Sequence, residues 1–405
     1  MTNQWESATH TVLRVRAHTR DARAAVVVDP ALTSHPATSL VDSWLGTMGV
    51  LSTISAMPAT VGLIDLTAVG EEVLRSDLVV AVGGGSTLDR VKLATVAAAS
   101  ERVLAHVELR SRTGLVMLPV DADRPTPLIA VPTTLGTGAE SSAVAVLDEA
   151  DRRRLVLGPA LRPQAAVLDG RLSEGLLPVQ VAEGVLEVLA RLAGPYCSVE
   201  EAPFSTSDLL VEAAVRGCGA LGEQICRPGR RPEPMDPQGS IADGSAILAS
   251  HREELLRLGA ASHSQHLRRL QSRWGAVLWP LANELAFVTG SRKMVATLTL
   301  WPGVWRSALA GDRRYGNPER IVRLWNVLRE AIHVTLPVDP AAGIAALARR
   351  WGAHDRVSTT SSEATKWASR SVRAWGSGLP VLAGLSVPDL LDLLRSPAFE
   401  AVSGA

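Results

Sequence analysis

Residues 77–92 read Asp-Leu-Val-Val-Ala-Val-Gly-Gly-Gly-Ser-Thr-Leu-Asp-Arg-Val-Lys, and this stretch decides the fold. Asp77 to Val82 reads as a strand whose near-continuous apolar character suits burial on both faces of a parallel sheet. It runs straight into Gly83-Gly84-Gly85-Ser86 and then a helix from about Thr87 to Ala99. Three glycines there allow backbone conformations closed to other residues and let a ligand approach the main chain. The free N–H groups at the helix start form an anion site, to which Ser86 adds a hydroxyl. The competing reading is a tight strand-to-helix turn. A second turn, Pro132-Thr133-Thr134-Leu135-Gly136-Thr137-Gly138, follows a predicted strand at Leu128–Val131. Two such turns meet at the carboxyl edge of one sheet, where open α/β sheets bind nucleotides. Neither matches GxGxxG or a GK[ST] ending, so neither an ordinary Rossmann fingerprint nor a P-loop is present.

Outward from these turns the first 150 residues alternate strands and helices. Ala24–Val28 reads as a buried strand ending at Asp29-Pro30, followed by a helix through Ser39–Leu51, a short strand at Gly62–Leu66 and a short helix at Gly70–Arg75. From about Glu174 the pattern turns helical: Gln180–Leu192, Ser207–Gln224, Ile241–Leu258, Ser262–Leu285, Lys293–Leu309, Pro318–Ile332, Ala341–Trp351 and Pro388–Leu394. Arg227–Gly244, rich in proline and glycine, reads as a long loop. The pattern is therefore that of an α/β domain with turns suited to a nucleotide, followed from about Glu174 by an all-α domain.

Forty-one basic residues balance forty-one acidic ones among 405, which gives no electrostatic reason to expect nucleic acid or an anionic membrane. Three cysteines with no CxxC pair support neither a disulfide framework nor a cysteine zinc site, and no signal sequence or spanning segment is visible. A cytoplasmic location is expected. Ten Trp stand against two Tyr and three Phe, and eight of those Trp lie from Trp274 onward. Trp301, Trp305 and Trp325, at helical spacings, read as core.

The two turns resemble those of one family. Gly83–Lys92 is similar to the GGGSxxDxAK segment of the iron-containing (group III) alcohol dehydrogenases, relatives of dehydroquinate synthase, and Pro127–Glu140 to their PxxxxPTTxGTGSE segment, with Ala139 for Ser. Weaker matches extend the resemblance over nearly the whole chain: Val26–Asp29, Arg152–Val156, Ala166–Leu172 and a stretch near the C-terminus. The resemblance implies an α/β dinucleotide-binding domain for NAD, residues 1–173, and an all-α helical domain, residues 174–405, with the active site in the cleft between. It implies that Gly83, Gly84, Gly85 and Ser86 contact the pyrophosphate, that Thr133, Thr134 and Thr137 line the ribose and phosphates, and that Asp89 lies toward the nicotinamide. Asp29 occupies the place of an acidic residue that binds the adenosine ribose, which favours NAD over NADP. Arg154 takes the place of a lysine near the cofactor; its other reading is a solvated member of the Arg152–Arg154 run.

The same resemblance implies a divalent metal held by one Asp and three His, and here the sequence departs. The ligand positions fall on Glu187, Arg191, Trp279 and Lys293, with Asn283 in place of a nearby active-site His. A register shifted by one residue puts Leu186 and Ala190 on the first pair. Arginine, protonated lysine and tryptophan offer no lone pair to a metal, so no metal is expected. His263 and His266 read as surface or capping residues. Two cations and a carboxylate can instead stabilise a developing alkoxide, with lysine as general base, or clamp a substrate carboxylate.

The function expected is a metal-independent, NAD-linked oxidoreductase acting on an alcohol or hydroxy acid, as a homo-oligomer with a small-molecule or peptide substrate and no nucleic acid or membrane partner. The Arg- and Ala-rich composition resembles that of high-GC bacteria, whose natural-product clusters hold divergent family members. Among these are daptide-type enzymes that oxidise the C-terminal Thr of a ribosomal peptide, which makes such a peptide a candidate substrate. The alternative is a catalytically silent scaffold that binds a nucleotide, a peptide or a partner biosynthetic enzyme, with tryptophans as anchors.

Overall fold

A computed structural model of the chain describes residues 3–58, 62–109, 113–199, 205–226, 243–268, 276–382 and 384–395. Helix α1 (Glu6–His18) leads into β1 (Arg23–Val28), α2 (Pro36–Thr47), β2 (Leu51–Ala56), α3 (Leu63–Val73), β3 (Leu78–Gly83), α4 (Gly85–Ala99), α5 (Glu101–Leu109), β4 (Leu115–Met117), β5 (Leu128–Pro132), β6 (Val144–Asp148), β7 (Arg153–Leu157) and β8 (Ala165–Ala166). Five strands form one parallel sheet in the order β2-β1-β3-β5-β8. Strand order reverses between β1 and β3, and such a switch point opens a crevice at the carboxyl edge. A separate sheet has the order β4-β7-β6.

β3 is buried on both faces because successive side chains feed opposite cores. Val79 and Ala81 join Leu88, Val91 and the α3–α4 layer, while Leu78, Val80 and Val82 join Val41, Leu45 and the tilted pair Trp5–Trp44. The two tryptophans of the first half thus fill one face of the sheet.

Several elements differ from expectation. Gly62–Leu66 is not a strand: Leu66, Val69 and Val73 share one helical face against the core, and α3 approaches α4 so closely that a Cβ on Gly70 would lie 2.0 Å from the Ala94 carbonyl oxygen. The helix expected to reach Leu51 stops at Thr47, and Leu51 to Ala56 instead forms the edge strand β2, whose partial exposure weakens its apolar signal. The short strands of the second sheet had no clear alternation to reveal them.

The helices of the second half are α6 (Pro178–Cys197), α7 (Thr206–Ile225), α8 (Asp243–Ala261), α9 (Gln265–Arg268), α10 (Leu278–Thr289), α11 (Lys293–Leu309), α12 (Pro318–Ala331), α13 (Pro340–Arg350), α14 (Ser361–Ser371) and α15 (Val387–Leu394). The span expected as one helix from Ser262 to Leu285 holds α9 and α10 as distinct elements, and residues 269–275, with Trp274, lie outside the described residues. Most of the proline-rich segment expected as a loop, residues 227–242, also lies outside them. Neither α14 nor the π-helical turn Val372–Gly376 behind it was anticipated. Trp301, Trp305 and Trp325 are buried, as core residues should be.

The chain divides into two compact units, Met1–Leu176 with Ile241–His263, and Leu177–Ser240 with Ser264–Ala405. The expected boundary at residue 173 is a single cut, whereas α8 packs with the first unit. Gly170 makes that possible, since a Cβ there would meet the Ala249 carbonyl at 2.0 Å, and Arg252 Nη1 donates to the Ser173 carbonyl at 2.5 Å. No helix among the described residues is long and apolar enough to cross a membrane.

Candidate functional site

Within the first unit the two glycine-rich turns lie side by side because β3 and β5 pair in register, with Gly83 opposite Pro132. Thr133 N–H donates to the Gly83 carbonyl at 3.0 Å, fastening one turn to the other. A Cβ on Gly84 would sit 3.1 Å from Thr134, and one on Gly85 would sit 3.1 Å from Thr137. The threonines therefore pack against bare backbone. Helix α4 starts at Gly85, and its N-cap Gly84 supplies no side-chain bond, so its first N–H groups are left to an outside acceptor. The Thr134 hydroxyl is shielded yet has no hydrogen-bond partner among the described residues. Backbone donors at a helix start, an orphaned hydroxyl and an exposed Ser86 fit a dinucleotide pyrophosphate. Gly136 and Gly138, with φ of 83° and 64°, adopt the left-handed conformation that the turn needs.

Asp29 ends β1 beside this cradle, its N–H donating to the Val82 carbonyl. One carboxylate oxygen accepts from Thr87 Oγ1 at 2.8 Å and the other from Ala31 N–H at 3.0 Å, which fixes the negative charge in place. Thr87, missed from the sequence, is the residue that orients it. Asp89 accepts from Val146 N–H at 3.0 Å and pairs with Lys92 Nζ at 3.0 Å. Arg154 is neither a cofactor contact nor solvated. A buried guanidinium must be paired, and Arg154 is consumed by Glu149, at 2.5 and 2.9 Å, and by the Val107 carbonyl at 2.6 Å. His263 follows the end of α8 and packs over Gly138, where a Cβ would lie 2.4 Å from its ring, while His266 is exposed.

Within the second unit, α6 carries Glu183, Glu187 and Arg191 at four-residue spacing, so all three share a face. The four residues at the implied ligand positions come together. Lys293 Nζ donates to Glu187 Oε1 at 2.7 Å, Arg191 Nη2 donates to the same oxygen at 3.0 Å, and the ammonium lies 5.4 Å from the centre of the Trp279 ring. Burial pushes the Glu187 carboxyl upward, but Lys293 and Arg191 together outweigh it and hold the group below its ordinary value of 4.5. Asn283 is buried on α10.

Lys293 is the first residue of α11, and Arg292 is its N-cap. Cations at a helix N-terminus oppose the helix dipole, and no acidic residue occupies that first turn. The compensation comes from other elements: Glu187 for Lys293, and Glu183 and Asp355 for Arg292, each at 2.8 Å. Trp279 is itself held, edge to face, by Trp375 with ring centres 6.1 Å apart. Trp375 Nε1 donates to the buried Glu284 carboxylate at 3.3 Å, which also accepts from Arg370 Nε at 3.0 Å. Sequence reasoning missed Glu183, Glu284, Arg292, Asp355, Arg370 and Trp375. Only Glu183 carried a signal, its four-residue step before Glu187.

The implied metal does not fit this donor set. Two of the four groups are cations and one is an indole, and among the described residues no three His, Cys, Asp or Glu side chains cluster as a metal site.

Residues 6–170 match the family profile described as iron-containing alcohol dehydrogenase. Over these residues the chain is similar to the iron-containing alcohol dehydrogenases. A phosphonoacetaldehyde reductase of Streptomyces viridochromogenes is 34% identical over 190 residues, which cover 46% of this chain and 47% of that protein. The matched stretch thus spans about half the length of that relative. NADH-dependent butanol dehydrogenase A of Thermotoga maritima superposes with a TM-score of 0.74 at 13% identity, covering 96% of this chain and 94% of the other. An iron-containing alcohol dehydrogenase of Thermococcus thioreducens gives 0.72 at 17% identity over 98% and 97%. At such identities the likeness establishes the fold of the iron-containing alcohol dehydrogenases.

Proposed function

We propose that this chain is an NAD-linked oxidoreductase that interconverts an alcohol and its carbonyl compound, with the Lys293 ammonium supplying the positive charge that family members take from a metal. The observation that carries the reading is the Lys293–Glu187–Arg191 cluster at the implied ligand positions. Three substitutions to non-ligands there have produced a joined constellation. A cation kept against the dipole of its own helix is costly to fold stability, which favours a role in binding or chemistry.

When bound, NAD accepts hydride from the carbinol carbon, and NADH returns it. In the reducing direction Lys293 donates a hydrogen bond to the carbonyl oxygen and passes it a proton as hydride arrives at carbon; oxidation reverses both transfers. Glu187 and Arg191 orient the ammonium, and Trp279 covers it with an apolar face that excludes water. Asp29 disfavours the 2′-phosphate of NADP by charge repulsion. The similar reductase of phosphonoacetaldehyde acts on an aldehyde that carries an anionic group. An alcohol or aldehyde with a carboxylate or phosphonate suits the cations here for the same reason, and the C-terminus of a peptide belongs to that class.

The second reading, a silent nucleotide- or partner-binding scaffold, is favoured by the way Glu187 already satisfies both cations. An assay of exhaustively chelated protein with NADH and small anionic aldehydes separates the two. Turnover that survives chelation and vanishes in Lys293→Ala and Arg191→Ala supports the oxidoreductase. Stoichiometric metal that must be present for turnover overturns the metal-free reading, and NAD binding without turnover leaves the scaffold.

A further inference from the structure

Lys92 has no exposed surface, and its ammonium sits in a cage of oxygens. It donates to the carbonyls of Ala139 at 3.0 Å and Val144 at 2.5 Å and to Ser142 Oγ at 3.2 Å, and Asp89 Oδ1 lies 3.0 Å away. The carbonyl of Ser142 stands at 3.5 Å. The lysine projects from α4, the helix whose first turn forms the Gly83–Ser86 cradle, three turns or fewer from its start. Its carbonyl and hydroxyl partners all belong to the segment that leaves the Thr133–Gly138 turn and enters β6. Asp89 completes the clasp by accepting from Val146 N–H, two residues further along the strand.

We propose that Lys92, with Asp89, is a positioning residue that sets the second nucleotide turn against the first. Backbone carbonyls of an irregular segment buried without partners are costly, and one ammonium with three donors satisfies several together. The segment has no helix or strand ladder of its own between Thr133 and Val144. The Thr133–Gly83 bond at one end and Lys92 at the other tie it to β3 and α4, the elements that carry Gly84 and Gly85, while Ser141 Oγ to the Ala260 carbonyl and Gly158 N–H to the Ala143 carbonyl fasten it to other elements. Sheet order assigns the consequence. Asp29, Gly83–Gly85 and Thr133–Gly138 follow the neighbouring strands β1, β3 and β5 across the carboxyl edge. A dinucleotide laid along that edge with its adenosine on Asp29 meets the β1 and β3 turns with its ADP half, reaches the β5 turn there only through Thr134, and uses the rest of the β5 turn for the remainder.

The proposal rests on the nucleotide reading above, and the test separates the two. Binding of NAD and of ADP to the full-length protein is measured by calorimetry, for wild type, Lys92→Met and the milder Asp89→Asn, with a thermal melt to establish folding. In folded Lys92→Met the Kd for NAD should rise about tenfold, the loss of one charged hydrogen bond's worth of positioning, while that for ADP changes less than about twofold. Asp89→Asn should show the same split, smaller, and carries the test alone if Lys92→Met does not fold. A simply damaged fold would lower both affinities together. Unchanged NAD affinity, or equal loss of NAD and ADP, overturns the positioning role only. A wild-type protein that binds neither nucleotide overturns the nucleotide reading and this proposal with it.

Discussion

Two lysines, one in each unit, show how differently a cation can be used. Lys92 is fully enclosed, and its ammonium is spent on backbone carbonyls and Asp89. Lys293 is 31% exposed on its side chain, and the bond to Glu187 uses one of its three donors. The first has no capacity left for a ligand and serves geometry. The second lies at a partly exposed position, and in the proposed function its other donors meet a substrate oxygen. Burial and the count of satisfied donors, rather than the presence of a lysine, distinguish a structural cation from a chemical one.

That contrast predicts opposite signatures. Lys92→Met leaves Asp89 and several carbonyls without their partner in a dry site, and should destabilise the first unit by about 3–5 kcal/mol, read by urea unfolding. Lys293→Ala should lower kcat/KM by about 10²–10³-fold, in line with removal of one oxyanion donor, while the thermal midpoint shifts little because Arg191 still pairs with Glu187. A large stability loss in Lys293→Ala with unchanged turnover would reverse the two roles.

Smaller effects sharpen the comparison further. Gly84→Ala places a methyl 3.1 Å from Thr134, in the space where a pyrophosphate must approach. It should weaken NAD binding by calorimetry with little change in the urea midpoint. Trp375→Phe removes the indole donor to Glu284, at a cost of about 1 kcal/mol, and loosens Trp279, so KM for the carbonyl substrate should rise with stability nearly kept. The smallest effect concerns pH. The folded-state pKa of Glu187 lies below its ordinary value, so its contribution to stability is full above that value of 4.5 and disappears as pH falls through the folded value. Glu187→Gln should flatten the acid limb of the stability curve there and leave the neutral-to-alkaline limb unchanged.

The first unit was the more legible in sequence. Long apolar runs, two glycine-rich turns and their order marked β1, β3, β5 and the adjoining turns, because close backbone approach and buried strands restrict which residues can serve. The edge strand β2 and the small second sheet escaped, since exposure removes the apolar signature. In the second unit, the joining of Glu187, Arg191, Trp279 and Lys293 could be expected only by laying the chain along a family pattern. Helical periodicity alone does not say which helices meet. Their supports, Glu284 with Trp375 and Arg370, depend on α14 and the π-helical turn, whose mixed composition gives no period to read. Arg154 was misread because a charged residue beside a motif looks functional or solvated in sequence, whereas the fold buries it against Glu149.

The central claim is that an ammonium from the chain itself stands where a metal ion is implied. Chemical rescue tests it most directly. Chelated Lys293→Ala protein is assayed for carbonyl reduction with methylammonium or ethylammonium added, and separately with divalent iron or zinc. The account predicts that the amines restore a saturable part of the lost turnover and that the metals do not. Rescue by iron or zinc, with none by the amines, would contradict it.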